Sequence, residues 1–268
     1  MERTRTEQVY FENGAEPSEE LITELLRKAH SRFDPALARI RRPVARATLL
    51  DSGVGRLLAA QSARGLLTLR FADSDDWCEA LAQMGRRFEL VEDSSLAAEI
   101  TSEIEHLMQG EADAVARRPV DLSLVESDFQ RRALSRLRRV PAGSVVTYQG
   151  LAAAIGAPSS QRAIGNTVAS NPLAIYVPCH RVIRSDGSIG NYGGGVERKL
   201  KLLRAEGFEV DRTRRVPSGA VYGHSESRIF CRPDCTALRR GDTGKWLILP
   251  GPEQARALGM RACKLCHP

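Results

Sequence analysis

Three short apolar runs separated by turn residues open the patterned part of the chain. From Ala47, the runs TLL, RLLAAQ and LLTLRF are broken by DSG and SARG. Runs of strand length bounded by such turns predict an antiparallel meander. Two helices are predicted next, one over about 76–88 and one over about 95–109, with Gly110 placed to end the second. An earlier amphipathic stretch, Ser18 to about Arg32, carries Leu21, Ile22, Leu25 and Leu26 on one side and predicts a short helix with no evident chemistry.

The pattern changes after ARRPVDL, which reads as a connector. SDFQRRALSRLRRV opens with Ser127 and Gln130 at capping-box spacing and continues with Phe129, Ala133, Leu137 and Val140 at helical spacing. Its other face is arginine-rich, and Pro141-Ala142-Gly143 ends it. The stretch TYQGLAAAIGAPSSQRAIGNTVASNP then gives a helix, a Gly-Ala-Pro turn, a Ser159/Ser160 cap and a second helix from about Gln161, a helix–turn–helix outline. Ala163, Gly165, Asn166, Thr167 and Ala169 make that second helix small-sided, suited to close approach either to another surface or within its own core. In the tail, KWLIL reads as a strand and PEQARALG as a short helix ending at Gly259.

Composition narrows the class. A chain of 268 residues is long enough for several units and a sizeable core. No run approaches the length of a membrane span, and the N-terminus lacks a signal-peptide apolar core, so a cytoplasmic protein is expected. The net charge of +6 is unevenly spread. Lys and Arg against Asp and Glu number 8 to 8 over 1–45, 8 to 13 over 46–119, 15 to 8 over 120–221 and 8 to 4 over 222–268. A basic centre and tail suit a polyanion-facing surface, though a solvated charged face has the same composition.

The six cysteines divide into isolated Cys78 and Cys179 and a C-terminal group, Cys231, Cys235, Cys263 and Cys266. The group is spaced C-x3-C, 27 residues, then C-x2-C, which matches a tetrahedral zinc site. So small a unit has little core, and a metal supplies much of its folding energy. His224 and His267 are nearby spare ligands. Cys179 is a buried hydrophobe, a metal ligand or a nucleophile by residue type alone. Pro178 before it, His180 after it and the downstream carboxylate Glu206 favour the nucleophile, because imidazole can share the thiol proton and needs a partner to fix its tautomer.

PCHRV at 178–182, GNYGGG at 190–195 and LLRAEG at 202–207 together resemble the O6-alkylguanine-DNA alkyltransferases. The resemblance covers roughly 46–210. It implies an α+β fold with a ribonuclease-H-like N-terminal subdomain, a helical helix–turn–helix alkyltransferase domain and, appended here, a zinc-bound module. The corresponding divisions are an extension over 1–45, a scaffold over 46–120, the transferase domain over 121–215 and the zinc domain over 222–268.

The resemblance also implies roles. Cys179 is then the alkyl acceptor, His180 its general base through a water, and Glu206 the group orienting that histidine. Asn171 links the recognition helix to the active-site loop, and Tyr148 rotates the target nucleotide and donates a proton to the leaving guanine. Arg162 fills the gap in the base stack, while Ala163 and Asn166 lie with it on the helix that enters the minor groove. Tyr192, Gly193 and Gly194 form the pocket wall and its loop, and the arginines of 131–139 with the backbone amides near Arg181 are candidate phosphate contacts. The glycine-rich GNYGGG implies a roomier pocket than patterns with a larger residue after the tyrosine. Implied activity is single-turnover transfer to cysteine by a monomer acting on double-stranded DNA that carries O6-alkylguanine, and a non-enzymatic protein that flags alkyl damage is the competing reading.

FCRPDC resembles the zinc domain of adaptive-response (Ada) proteins, whose first cysteine accepts methyl from DNA phosphotriesters. Carried over, that role falls to Cys231, and a purely structural or DNA-docking module stands beside it as the other reading. No second, regulator-type helix–turn–helix unit is apparent, which argues against a methylation-triggered activator.

Overall fold

The computed structural model describes residues 42–73, 77–238 and 242–268; the helix expected over Ser18–Arg32 lies outside them. The meander forms as β1 (Val44–Ser52), β2 (Gly55–Ser62) and β3 (Gly65–Phe71), paired antiparallel in sequence order. Helix α1 (Trp77–Arg87) leads into β4 (Glu89–Glu92), which pairs parallel to β1 and gives the order β3-β2-β1-β4. Helix α2 (Ser94–Met108) follows, capped by Asp93, whose Oδ1 accepts from the Ser95 amide at 2.8 Å.

The sheet is covered on both faces, which is why β2 reads as a continuous apolar run rather than an alternating one. Leu58, Ala60 and Leu67 pack with Trp77, Leu81 and Met84 of α1. Leu57, Ala59, Leu66 and Leu69 face the other way, onto Leu96, Ile100 and Ile104 of α2. Strand β4 was not foreseen, because only Leu90 of its four residues is buried and no period shows.

A short helix α3 (Asp113–Arg117) precedes α4 (Asp128–Leu137), at whose start the Ser127 hydroxyl accepts from the Gln130 amide. Strand β5 (Val146–Thr147) feeds α5 (Tyr148–Ala154), and α6 (Gln161–Ala169) follows after a turn. Ser160 occupies the cap position of α6, yet its side chain makes no capping bond. The next segment is laid along the edge of β3: the Leu69 amide donates to Pro172 O at 2.8 Å and the Ala174 amide to Leu69 O at 2.9 Å. A single turn of 3-10 helix (Cys179–Arg181), β6 (Val182–Ile183), parallel to β5, and α7 (Val196–Ala205) complete this part. No helix among the described residues is long and apolar enough to cross a membrane.

The tail forms β7 (Val221–His224), β8 (Ile229–Cys231), β9 (Trp246–Leu249), helix α8 (Pro252–Ala257) and β10 (Arg261–Ala262), in the sheet order β10-β8-β7-β9. It is docked on the helices before it rather than tethered beside them. Val145 and Ile248 exchange backbone hydrogen bonds of 2.8 Å each way, and Ile248 is buried with Ile183, Leu203 and Phe208. Arg136 of α4 donates to Gly244 O at 3.2 Å. A Cβ on Gly244 would lie 2.4 Å from the backbone nitrogen of Ala154, so no side chain fits where the tail meets α5. Gly244→Val is therefore expected to destabilise the chain by about 1–3 kcal/mol through overpacking. Urea unfolding of the full chain checks this, and an unchanged midpoint would contradict the tight docking.

Candidate active site and metal centre

Asn171, just past α6, organises the approach to Cys179. Its Oδ1 accepts from the Leu173 amide at 3.1 Å, and its Nδ2 donates to Val177 O at 2.8 Å and to Cys179 Sγ at 3.1 Å. One side chain thus closes the 171–179 loop and holds the sulfur. Within that loop Ile175 adopts φ +71°, a conformation costly for a β-branched residue. The strain is held by burial and by Tyr176, whose hydroxyl donates to Glu103 at 2.7 Å.

His180 and Arg181, the next residues of the turn, converge on Glu206 at the end of α7. His180 Nε2 lies 2.8 Å from Glu206 Oε1, while Arg181 places Nε 2.8 Å from Oε2 and Nη2 2.6 Å from Oε1. The remaining Arg181 nitrogen, Nη1, donates to Val140 O. Burial alone would raise the Glu206 carboxyl, but His180 and Arg181 outweigh it and hold the group down at about 2. An ionised carboxylate only accepts, so Nε2 of His180 carries the proton and Nδ1 bears the lone pair. Nδ1 makes no hydrogen bond among the described residues. Burial also pushes His180 down, which keeps the imidazole neutral near pH 7.

Burial pushes the Cys179 thiol up, with Asn171 and then Tyr192 pulling against it. The resting pair is accordingly thiol and neutral imidazole, not a preformed ion pair. Tyr148, at the start of α5, is raised by burial and next by the neighbouring Cys179. Tyr192 is raised by burial and then by Cys179 as well, and its hydroxyl is enclosed. Lys199 of α7 is buried and bridges Val182 O and Ile189 O at 2.6 and 2.5 Å. It ties the two ends of the loop after Cys179 together. Sequence reasoning missed it, because a lysine at helical spacing reads as solvated.

The four tail cysteines converge. Their sulfurs lie within 4.8 Å of one another, and all four residues are buried. Zinc–thiolate bonds of about 2.3 Å in a tetrahedron need sulfur separations of about 3.8 Å, so the donor set fits with slight contraction. The amides of Arg232 and Leu265 point at the sulfurs of Cys266 and Cys263, at 3.4 and 3.3 Å, an outer shell that favours thiolates. Neither spare histidine joins them: His224 stacks edge-on with Trp246 and accepts from the Ser227 amide, and the cluster is of cysteines alone.

Residues 128–208 match the family model for the 6-O-methylguanine DNA methyltransferase DNA-binding domain, and 209–268 match the metal-binding domain of Ada. The methylated-DNA–protein-cysteine methyltransferase of Mycobacterium leprae is 34% identical over 161 residues, which span 60% of this chain and 92% of that protein. The chain belongs to the 6-O-methylguanine DNA methyltransferase family. The bifunctional transcriptional activator/DNA repair enzyme Ada of Escherichia coli is 33% identical over 169 residues, 62% of this chain and 47% of that protein, so the match spans about half of its length. Among solved structures, the Mycobacterium tuberculosis O6-methylguanine methyltransferase superposes with a TM-score of 0.50 at 29% identity, over 63% of this chain and 95% of that one. With the Ada-type match and four convergent thiols, the C-terminal module is a zinc site.

Against the roles that membership of this transferase family suggests, the structure places some residues elsewhere. Backbone amides near Arg181 were expected as phosphate contacts; the Arg181 amide itself donates to Pro178 O, and its guanidinium is buried on Glu206. Arg131, Arg136 and Arg138 are likewise engaged with carbonyls of Val125, Gly244 and Arg118, which leaves Arg132 and Arg139 as the outward arginines of that run. On α6, Arg162, Ala163 and Asn166 are exposed, whereas Thr167 is buried and donates to Ala163 O at 2.9 Å.

Two outcomes follow from these centres. The folded Glu206 pKa lies below its unfolded value, so its contribution to stability is present above about pH 4.5 and is lost as pH falls toward 2. That contribution is on the order of 3 kcal/mol. Unfolding titrations at several pH values should show the slope, and Glu206→Gln should flatten it; an equal slope in the variant would refute the assignment. Chelation should release one zinc per chain and open the 221–268 module to proteolysis, measured by a zinc-sensitive dye and limited digestion. A module that stays protected without metal would contradict the role.

Proposed function

We propose that this protein repairs DNA by transferring an alkyl group from O6 of guanine to Cys179, once per molecule. The observation that carries the reading is the hydrogen-bonded set Asn171–Cys179 beside His180–Glu206, with the phenols of Tyr148 and Tyr192 both raised by burial and then by Cys179. His180 Nδ1 takes the thiol proton through a water, Sγ attacks the alkyl carbon in line, and the carbon–O6 bond breaks. The electron pair leaves with guanine, which takes a proton from the Tyr148 hydroxyl, and the proton on His180 restores the phenol. The net change moves one proton from cysteine to guanine and leaves a thioether. No group in this set hydrolyses it, so turnover stops there.

Cys179 is 6% exposed, and a guanine within a duplex cannot reach it. The reading therefore includes rotation of the nucleotide out of the stack, at a few kcal/mol. Helix α6 supplies the means, with Arg162 as the wedge and Ala163 and Asn166 as the small-sided face in the minor groove. Further parts of the proposal are a ribonuclease-H-like scaffold over 46–120, a transferase domain over 121–215, a zinc domain over 222–268, and a cytoplasmic monomer. Zinc, when bound, would be held by Cys231, Cys235, Cys263 and Cys266, would keep their sulfurs deprotonated and would supply much of the tail's folding energy; the proposal gives Cys231, one of those four ligands, a structural role rather than methyl acceptance.

Peptide mass spectrometry after mixing with duplex containing O6-methylguanine tests the reading. One methyl on the Cys179 peptide is expected, with Cys179→Ser reacting at least 1,000-fold more slowly. Binding without modification would support a damage-flagging protein instead. A second arm with methyl phosphotriester DNA should leave Cys231 unmodified.

A further inference from the structure

The loop that walls the pocket has little holding it from its own side. Gly193 is exposed with nothing near its missing side chain, and the local tie is one turn, Gly195 amide to Tyr192 O at 2.9 Å. The glycine-rich sequence suggested a loose, roomy pocket. The front sheet supplies what the loop lacks. Phe71, the last residue of β3, sets its ring edge-on to Tyr192 with centroids 6.1 Å apart, and it is buried. A Cβ on Gly194 would lie 2.3 Å from Cε2 of the same ring, so Phe71 occupies the space where a side chain at 194 would stand.

Arg198 locks this contact. Its guanidinium carbon lies 4.6 Å from the Phe71 ring centroid. Its Nη1 donates to Gly194 O at 3.0 Å, its Nε to Val54 O in the β1–β2 turn at 2.6 Å, and its Nη2 pairs with Asp73 at 2.7 Å. One side chain from α7 therefore fastens the wall loop to two separate points of the front sheet. Tyr192, the residue held between this clamp and Cys179, cannot move outward without displacing the ring behind it.

We propose that Phe71 and Arg198 are specificity-determining positioning residues: by fixing Tyr192 and Gly194 from the other domain, they limit the size of alkyl group presented to Cys179. This rests on the transferase reading above. The ring fills volume directly behind the pocket wall, so its loss opens space for a bulky group while a methyl needs none. Arg198 acts through the loop and the ring and touches no reacting atom.

The test compares two probes on the full-length, zinc-loaded chain: duplex with O6-methylguanine and the free base O6-benzylguanine. Rates of Cys179 modification are read by peptide mass spectrometry. Phe71→Ala and Arg198→Met are each expected to raise the benzyl-to-methyl rate ratio at least threefold over wild type. Phe71→Leu, which keeps most of the volume, should shift it less. Gly194→Ala should slow both probes, and adding Phe71→Ala should restore them in part, which a merely stabilising ring would not do. Thermal unfolding shows which variants fold; Arg198→Met decides if Phe71→Ala does not. A ratio within twofold of wild type in folded, reactive variants overturns the inference alone. A wild-type Cys179 inert to both probes overturns the transferase reading and this inference with it.

Discussion

The active centre depends on one buried carboxylate. Glu206 accepts from His180 and twice from Arg181, with no solvent to share the charge. A lone carboxylate at that depth would protonate rather than stay charged. His180 and Arg181 together keep it ionised, and its ionisation is what sets the histidine tautomer. Arg181 also reaches Val140 O, at the end of the α4 segment, so the same group ties the turn bearing Cys179 to two helical elements. Removing Glu206 or Arg181 alone leaves an uncompensated buried charge.

Around that carboxylate the reactive turn is restrained from every side by groups distant in sequence. Asn171 fastens it to the end of α6, Lys199 closes the loop beyond it, and Tyr176 anchors its approach on α2 through Glu103. The edge of β3 carries the 172–174 segment as an added backbone partner. An otherwise unpaired sheet edge is thus converted into a support for the site. The unusual φ of Ile175 is tolerated because these restraints leave the chain no alternative path.

Much of this was legible where the signal is local. Turn residues between apolar runs marked β1–β3, the spacing of the four cysteines marked the metal site, and Cys179 with His180 marked the reactive turn. The pairing of Glu206 with His180, 26 positions apart, came from the family resemblance and not from spacing. What escaped was carried by long-range contact. The arginines of α4 read as one basic face, because charge alone does not distinguish a guanidinium in solvent from one capping buried carbonyls. Phe71 read only as the end of a strand. Its contact with Gly194 joins the end of β3 to the loop before α7 and leaves no periodic trace in either.

The small residues of the helix pair have two separate causes. On α6 they face outward at Ala163 and Asn166, free of packing demands from the protein itself. On α5 they face the zinc module: Ala153 and Ala154 present bare backbone to Gly244, while a Cβ on Gly150 would lie 3.4 Å from Thr243 O. Tyr148 begins that same helix. The metal-binding module is therefore packed on the element that carries Tyr148, a phenol raised by burial and by Cys179. The zinc centre and the reactive cysteine share a continuous backbone connection through Ile248, Val145 and β5, so the tail acts as a brace for the helix pair and not as a freely tethered appendage.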